Sequence, residues 1–284
     1  MTAAEPSRPV ALTIAGFDPG SGAGITADLK TFSAHGIYGV ACISGMTVQS
    51  TLGVRAVEPL SPTLVRQTLE CLAEDVSLAG VKIGMLGSWA VVREVSSFLT
   101  AQSRAIPRKR IVLDPVLRSS SGTALIDPAG VDLLRQELLL RVGWITPNVD
   151  ELALLAGRDL SAPGSLGREQ VPAGAARLQE MAARLGNDEL NVVVTGGHLS
   201  RPDDFLLTAV GEGNWLEGEK IVTKATHGTG CAFSSALLSG LISGQSSRQA
   251  VVAAKAYVTE ALRSAYPVGK GKGPMNHLFP FRLT

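Results

Sequence analysis

Three cysteines, Cys42, Cys71 and Cys231, are all that the 284 residues contain. An odd number with no CxxC spacing argues against a disulfide framework and against a zinc site. Histidine is as sparse, with four residues scattered singly, so no metal cluster of His and Cys can be read. Excess charge of either sign is missing as well. With 26 Lys and Arg against 25 Asp and Glu the net charge is +1, and nothing draws the chain to nucleic acid or to an anionic membrane. Any local anion site must be built from backbone and a few side chains. The first apolar run, residues 10–15, is far too short to span a bilayer, and the start MTAAEPSRPV lacks the apolar core of a secretory signal. A cytoplasmic protein is expected. The remaining composition, 45% hydrophobic, 18% charged and 5% aromatic, is that of a globular enzyme of one large domain or two small ones.

Familiar phosphate and nucleophile motifs are also missing. There is no GxxxxGK[ST], which excludes a Walker-type loop, and Gly20-Ser21-Gly22-Ala23-Gly24 lacks the third glycine spacing of a dinucleotide fingerprint. No GxSxG elbow occurs, which weighs against an α/β-hydrolase.

What is present is alternation. Short β-rich runs (residues 10–16, 40–46, 81–86, 110–116, 144–148 and 191–197) are separated by helical patterns near 27–35, 62–75, 89–100, 128–140 and 168–185. Continuous apolar strands between helices predict a mainly parallel sheet buried on both faces, an α/β fold. After residue 197 a polar hairpin-like stretch (204–220) predicts antiparallel edge strands, and two helices follow over 231–243 and 247–266. The Ser-, Pro- and Gly-containing loop 159–167 is short enough to be a connection. A single domain over 10–284 is expected, behind a flexible extension of residues 1–9. The strand ends finish in GFDPGSGAG, TVQST, GML, DPV, TPNVDE and TGGH. Ligands of such sheets bind outside the carboxyl ends of the strands, so a site spread along that edge is expected.

The stretch ATHGTGCAFSSALLSG (225–240) combines a glycine turn with a buried helix. Free N–H groups and the helix dipole attract an anion there. The same field is expected to lower the pKa of the Cys231 thiol and make it a proton acceptor or nucleophile. A cysteine chosen for its size fits the stretch equally well.

Taken together, GFDPGSGAG with ADLKTF (27–32), TVQST, KIGML, TPN followed by Glu151, GGH and THGTGC resemble the hydroxymethylpyrimidine/phosphomethylpyrimidine kinases of thiamine biosynthesis, within the ribokinase-like fold. The resemblance runs from about residue 10 to 277. It implies a three-layer α/β/α sandwich with a mainly parallel central sheet, ATP and Mg²⁺ as cofactors, and a homodimer. The implied reaction phosphorylates 4-amino-5-hydroxymethyl-2-methylpyrimidine and then its monophosphate to the diphosphate.

Position by position, the resemblance implies that Gly228, Thr229, Gly230 and Cys231 form the anion hole, with Cys231 replacing the aspartate base of other ribokinase-like enzymes. A base is needed because an alcohol is a poor nucleophile until its proton is taken, and the hole must match charge on the transferring phosphoryl group. Asn148 and Glu151 match an NxxE motif facing the phosphates and Mg²⁺, with Asp114 beside them. Without the resemblance, the pair reads as a helix start with an acid in its first turn. Gln49 matches a position whose amide can pair with an aminopyrimidine edge. Asp28, Gly16, Met85 and Val116 match the rest of that pocket. Read alone, Asp28 is a helix-surface charge, and Met85 and Val116 are core residues. Thr195 and Thr229 face the nucleotide, and His227 reads as a turn residue.

Three departures stand out. Phe17 replaces the usual Thr or Ser, Gly20-Ser21 inverts the usual order, and Thr195 stands where the pyrimidine kinases place a lysine. Thr195 is shared with some pyridoxal kinases, so a pyridoxal or pyridoxine kinase is the alternative. A non-catalytic protein that binds a vitamin precursor is a further one, and has no use for GTGC, Asn148 and Glu151.

Overall fold

The computed structural model describes residues 8–119, 122–157, 166–197, 199 and 201–281. Residues 1–7 of the expected extension, most of the loop 159–167 and His198 of GGH lie outside the described residues.

Nine strands form one sheet in the order β3-β2-β1-β4-β5-β6-β7-β8-β9. The parallel centre consists of β2 (Tyr38–Ser50), β1 (Val10–Phe17), β4 (Leu78–Ile83), β5 (Ile111–Leu113), β6 (Trp144–Ile145) and β7 (Asn191–Val194). The expected hairpin is β8 (Asp204–Leu207) and β9 (Gly213–Leu216), antiparallel to β7 and to each other. The opposite edge carries an antiparallel strand that the sequence pattern did not predict, β3 (Gly53–Pro59) on β2.

The parallel strands bury both faces, as their apolar runs predict. Ala11, Val112, Trp144 and Val193 pack on one face with α1 (Gly24–Ala34), α7 (Thr229–Ile242) and α8 (Ser247–Arg263). Leu12, Ile14, Ile111 and Leu113 face the other core, under α2 (Pro62–Asp75), α3 (Trp89–Ala101), α5 (Val149–Leu155) and α6 (Val171–Arg184). The helix expected over 128–140 is α4 (Pro128–Leu133) followed by a wider π turn over Leu134–Leu138. The fold is thus the expected three-layer α/β/α sandwich. No helix among the described residues is long and apolar enough to cross a membrane.

Candidate active site

The carboxyl ends of the parallel strands gather nearly all the sequence-predicted residues along one edge. At its centre α7 begins. Gly228 is the N-cap with φ +84°, left-handed backbone that favours glycine. A side chain there would also be driven into the carbonyl of Gly22 in the loop after β1. The helix starts two residues earlier than expected, at Thr229, and its first backward bond is Ala232 N–H to the Gly228 carbonyl, 3.0 Å. The N–H groups of Thr229, Gly230 and Cys231 therefore lie in the first turn, where no carbonyl of the helix reaches them. That turn, at the positive end of the helix dipole, suits a phosphate.

Cys231 is half-buried in this turn. The expected lowering of its pKa is not what the structure gives. Burial pushes the thiol up to about 12, reinforced by the charges of Asp114 and Asp28, and opposed by Lys82 and by the N–H of Gly24. Loss of hydration outweighs the Lys82 charge and the Gly24 N–H, so Cys231 is a thiol at neutral pH.

Asp28 is corrected too. It is no helix-surface charge, and it has no free oxygen for a pyrimidine. Fully buried, it accepts from Thr13 Oγ1 (2.6 Å), Ser235 Oγ (2.8 Å) and Lys82 Nζ (3.0 Å). Lys82 also stands 3.6 Å from Asp114 Oδ2. Burial raises the Asp114 carboxyl, Lys82 opposing and Asp28 adding to it. Asp114 accepts from Ser234 Oγ at 3.2 Å.

Asn148 and Glu151 form a capping box at the start of α5. Glu151 N–H donates to Asn148 Oδ1, and Asn148 N–H donates to Glu151 Oε2, both at 2.9 Å. The helix-start reading and the NxxE reading thus describe the same geometry. Burial pushes Glu151 up to about 8, helped by the charge of Asp114 and opposed by the N–H groups of Asn148 and Leu117. Two carboxylates close enough to repel each other, Glu151 and Asp114, are a fit donor set for a hard cation. Among the described residues no three His, Cys, Asp or Glu side chains form a ready cage. Mg²⁺ needs none, since it keeps waters and phosphate oxygens around one or two carboxylates. Thr195 follows β7 beside Asn148, its N–H bonded to Pro147 O at 2.9 Å.

At the other end of the edge, Gly16 lies against Met85, whose flexible Cε fills the space a β-carbon would take. Val116 is half-exposed in the turn after β5. Gln49, near the end of β2, is held by Thr47 Oγ1 donating to its Oε1 (3.2 Å), and its Nε2 lies 2.9 Å from His227 Nε2. His227 Nε2 also stands 2.8 Å from Asp18 Oδ2. The ring that reads as a turn residue therefore joins the Gln49 amide to the start of α7.

Lys82, Asp18 and His227 are the residues that sequence reasoning passed over. A signal existed for Lys82, a lysine between Val81 and Ile83 in a strand buried on both faces, which demands a buried counter-charge. Asp18 and His227 are 209 residues apart, and no local pattern pairs them.

A family model described as phosphomethylpyrimidine kinase matches residues 18–276. The hydroxymethylpyrimidine/phosphomethylpyrimidine kinase of Haemophilus influenzae is 36% identical over 277 residues, 96% of this chain and 97% of that protein. The protein of that name from Rhizobium meliloti is 40% identical over 271 residues, 94% and 96% of the two chains. Thiamine biosynthesis bifunctional protein ThiED of Geobacter sulfurreducens is 37% identical over 269 residues, 94% of this chain, which spans 52% of its length. Among solved structures, the phosphomethylpyrimidine kinase of Clostridium difficile 630 superposes with a TM-score of 0.72 at 34% identity, over 90% of this chain and 100% of that one. An ADP complex of Bacillus subtilis pyridoxal kinase superposes with a TM-score of 0.81 at 29% identity, over 95% and 98%.

Proposed function

Because the chain belongs to the phosphomethylpyrimidine kinase family, we propose that it transfers the γ-phosphoryl group of ATP to 4-amino-5-hydroxymethyl-2-methylpyrimidine, and then to the monophosphate, in cytoplasmic thiamine biosynthesis. The observation that carries this reading is the juxtaposition of Gln49 and the α7 N-terminus on either side of His227. An amide that both donates and accepts recognises an aminopyrimidine edge, and the first-turn N–H groups receive the phosphoryl group.

Met85, Val116 and Gly16 face the ring. Thr229 and Gly230 offer N–H groups to the equatorial oxygens, where charge builds in the transition state. Thr195 and Thr229 contact the nucleotide phosphates. Asn148, Glu151 and Asp114 would hold Mg²⁺, which would supply charge neutralisation on the phosphate oxygens. In the first transfer the hydroxyl oxygen attacks phosphorus, its bond to the phosphoryl group forms as the bond to ADP breaks, and its proton passes to Cys231 Sγ, which acts as a thiolate after releasing its own proton to solvent. In the second transfer the attacking oxygen belongs to the monophosphate, is already ionised at neutral pH and needs no base. A homodimer is part of this reading, supported by the exposed apolar side chains of Tyr38, Met46, Val48 and Leu52 along β2 and its turn.

Pyridoxal is the second acceptor to test, favoured by Thr195 and by the likeness to the Bacillus subtilis pyridoxal kinase. The deciding experiment measures ADP release with the pyrimidine, its monophosphate and pyridoxal side by side. Turnover of both pyrimidines ahead of pyridoxal is expected. Turnover of pyridoxal alone overturns the substrate assignment, and no turnover with any acceptor favours a binding protein.

A further inference from the structure

Lys82 is a fully buried ammonium held between two buried carboxylates. Asp28 closes on it with both oxygens at 3.0 Å, and Asp114 Oδ2 lies 3.6 Å away. As a stability device such a cluster is poor, because removing three charges from water costs about as much as their attraction returns. Its position has another use. Asp114 accepts from Ser234 Oγ at 3.2 Å, and that hydroxyl lies 3.0 Å from the Gly230 carbonyl and 3.1 Å from the Cys231 carbonyl. Asp114 Oδ1 is 3.9 Å from the point where a β-carbon on Gly230 would stand. A short chain of contacts thus runs from the Lys82 ammonium through Asp114 and Ser234 to the first turn of α7.

We infer that Lys82 is a positioning residue for phosphoryl transfer: its ammonium fixes the Asp114 carboxylate against the first turn of α7 and, through Asp28 to Ser235 and Asp114 to Ser234, sets a positive charge beneath that end of the helix. The inference deepens the reading of Cys231 as the base and rests on it. Among the charged groups acting on the Cys231 thiol, Asp28 and Asp114 oppose ionisation, and Lys82 is the cation that favours it. A proton leaving Cys231 leaves a thiolate in a poorly hydrated turn, and Lys82 is the counter-charge that this chain supplies.

The test separates this role from neutralisation of Asp28. In a Cys71→Ser background, which removes the exposed thiol on α2, Lys82→Met is compared with the double variant Asp28→Asn/Lys82→Met. The single variant leaves Asp28 buried without a counter-charge and is expected to melt at a lower temperature. The double variant removes the charges of Asp28 and Lys82 and leaves Asp114 the only buried charge of the three, so it is expected to recover part of that loss and carries the test if the single variant does not fold. The double variant is expected to keep a kcat at least 100-fold below the background protein, with KM for ATP and acceptor within about threefold. Iodoacetamide modification of Cys231 at pH 9 is expected to slow at least tenfold in Lys82→Met, where both opposing aspartates remain, the effect of one unit in thiol pKa, and by less in the double variant, which also loses Asp28. Recovery of both melting temperature and kcat overturns the inference and leaves Lys82 a structural partner of Asp28, and an unchanged alkylation rate overturns it as well. If the assignment of the acceptor is wrong instead, no pyrimidine turns over in the background protein, yet the alkylation comparison still reads the link between Lys82 and Cys231.

Discussion

His227 Nε2 and Asp18 Oδ2, 2.8 Å apart, fasten the loop after β1 to the turn before α7. The same carboxylate accepts the N–H groups of Gly20 (2.8 Å), Gly22 (3.1 Å) and Ala23 (3.0 Å), so one side chain organises the whole GSGA loop and then grips the anion-binding turn. A ring nitrogen carries at most one proton. Protonated, Nε2 donates to Asp18; unprotonated, it accepts from Gln49. Any ligand that takes the Gln49 amide therefore competes with a contact on the ring that sits four residues before Cys231.

Asp18→Asn tests that clasp. Burial works to raise the Asp18 carboxyl, but the His227 contact and the loop N–H groups outweigh it and hold the group below its ordinary 3.8. A carboxylate with a depressed folded pKa contributes stability above its unfolded value, and the contribution fades as pH falls through the folded value. The variant is expected to lose about 1.5–3 kcal/mol at pH 7, the range for hydrogen bonds to a charged group. The deficit should narrow below about pH 4, as carboxyl groups protonate in the parent protein. Denaturant melts at pH 7 and at pH 3.5 check this, and a deficit of equal size at both contradicts it.

Gln49→Ala is expected to weaken pyrimidine use by about 1–3 kcal/mol, the cost of leaving a buried ligand group unpaired. KM for ATP should stay within twofold, because the nucleotide end of the site does not touch Gln49. Steady-state kinetics with each substrate varied in turn measures both. Unchanged pyrimidine turnover would move the acceptor pocket elsewhere.

The alternation of strand and helix, the helix Pro62–Asp75 and the run of polar strand ends were all legible in the sequence, because buried parallel strands and amphipathic helices leave periodic apolar patterns. β3 escaped because GVRAVEP is an edge strand that exposes Arg55, Ala56 and Glu58 and ends in proline, and so lacks the apolar run of a central strand. β2 extends to Ser50 for the same reason, since Met46 and Val48 point to solvent where the strand leaves the core. The site was legible as a set of motifs and illegible as a set of contacts. Gly228 and Gln49 lie along the expected edge, but Asp28 is buried against Thr13, Lys82 and Ser235, and burial raises the Cys231 thiol where the turn was expected to lower it. Both corrections come from neighbours distant in sequence, which no local window contains.

Glu151→Gln is expected to trade activity for stability. Burial raises its pKa from 4.5 to about 8. For a carboxyl raised in the folded state the sign reverses: the folded protein holds the proton more tightly, so rising pH destabilises it progressively between about 4.5 and 8. At pH 7 the penalty is at most about 3 kcal/mol, at about 1.4 kcal/mol per pH unit. The glutamine keeps an oxygen for the Asn148 N–H. Without Mg²⁺ the variant should therefore melt higher than the parent at pH 7–8 and equal to it near pH 4.5, while its kcat falls. An equal or lower melting temperature at pH 8 would mean that Glu151 has a compensating partner in the folded protein.

Cys231 brings the opposing effects together. The α7 dipole and Lys82 favour the thiolate, burial and the two aspartates disfavour it, and burial wins at about 12. In the Cys71→Ser protein, iodoacetamide should therefore modify Cys231 slowly at pH 7–9, with the rate still rising above pH 10. Cys42 is buried and pushed up to about 12 as well, so peptide mapping must assign the label. If Cys231 is the base, Cys231→Ser keeps the size of the side chain, and its hydroxyl is too weakly acidic to ionise and take up the proton. The chemical step should fall 10²- to 10⁴-fold, roughly the effect of losing a general base. KM for ATP should hold, because the N–H groups of Thr229 and Gly230 are untouched. Cys231→Asp restores a group that accepts protons, and is expected to recover part of the loss at pH 8 and less at pH 6, since the same burial raises a carboxyl. Single-turnover rates for the three proteins across that range decide the matter. A serine variant within about twofold of the parent would leave the transfer to the anion-binding turn alone, with the acceptor proton lost to solvent or to a phosphate oxygen.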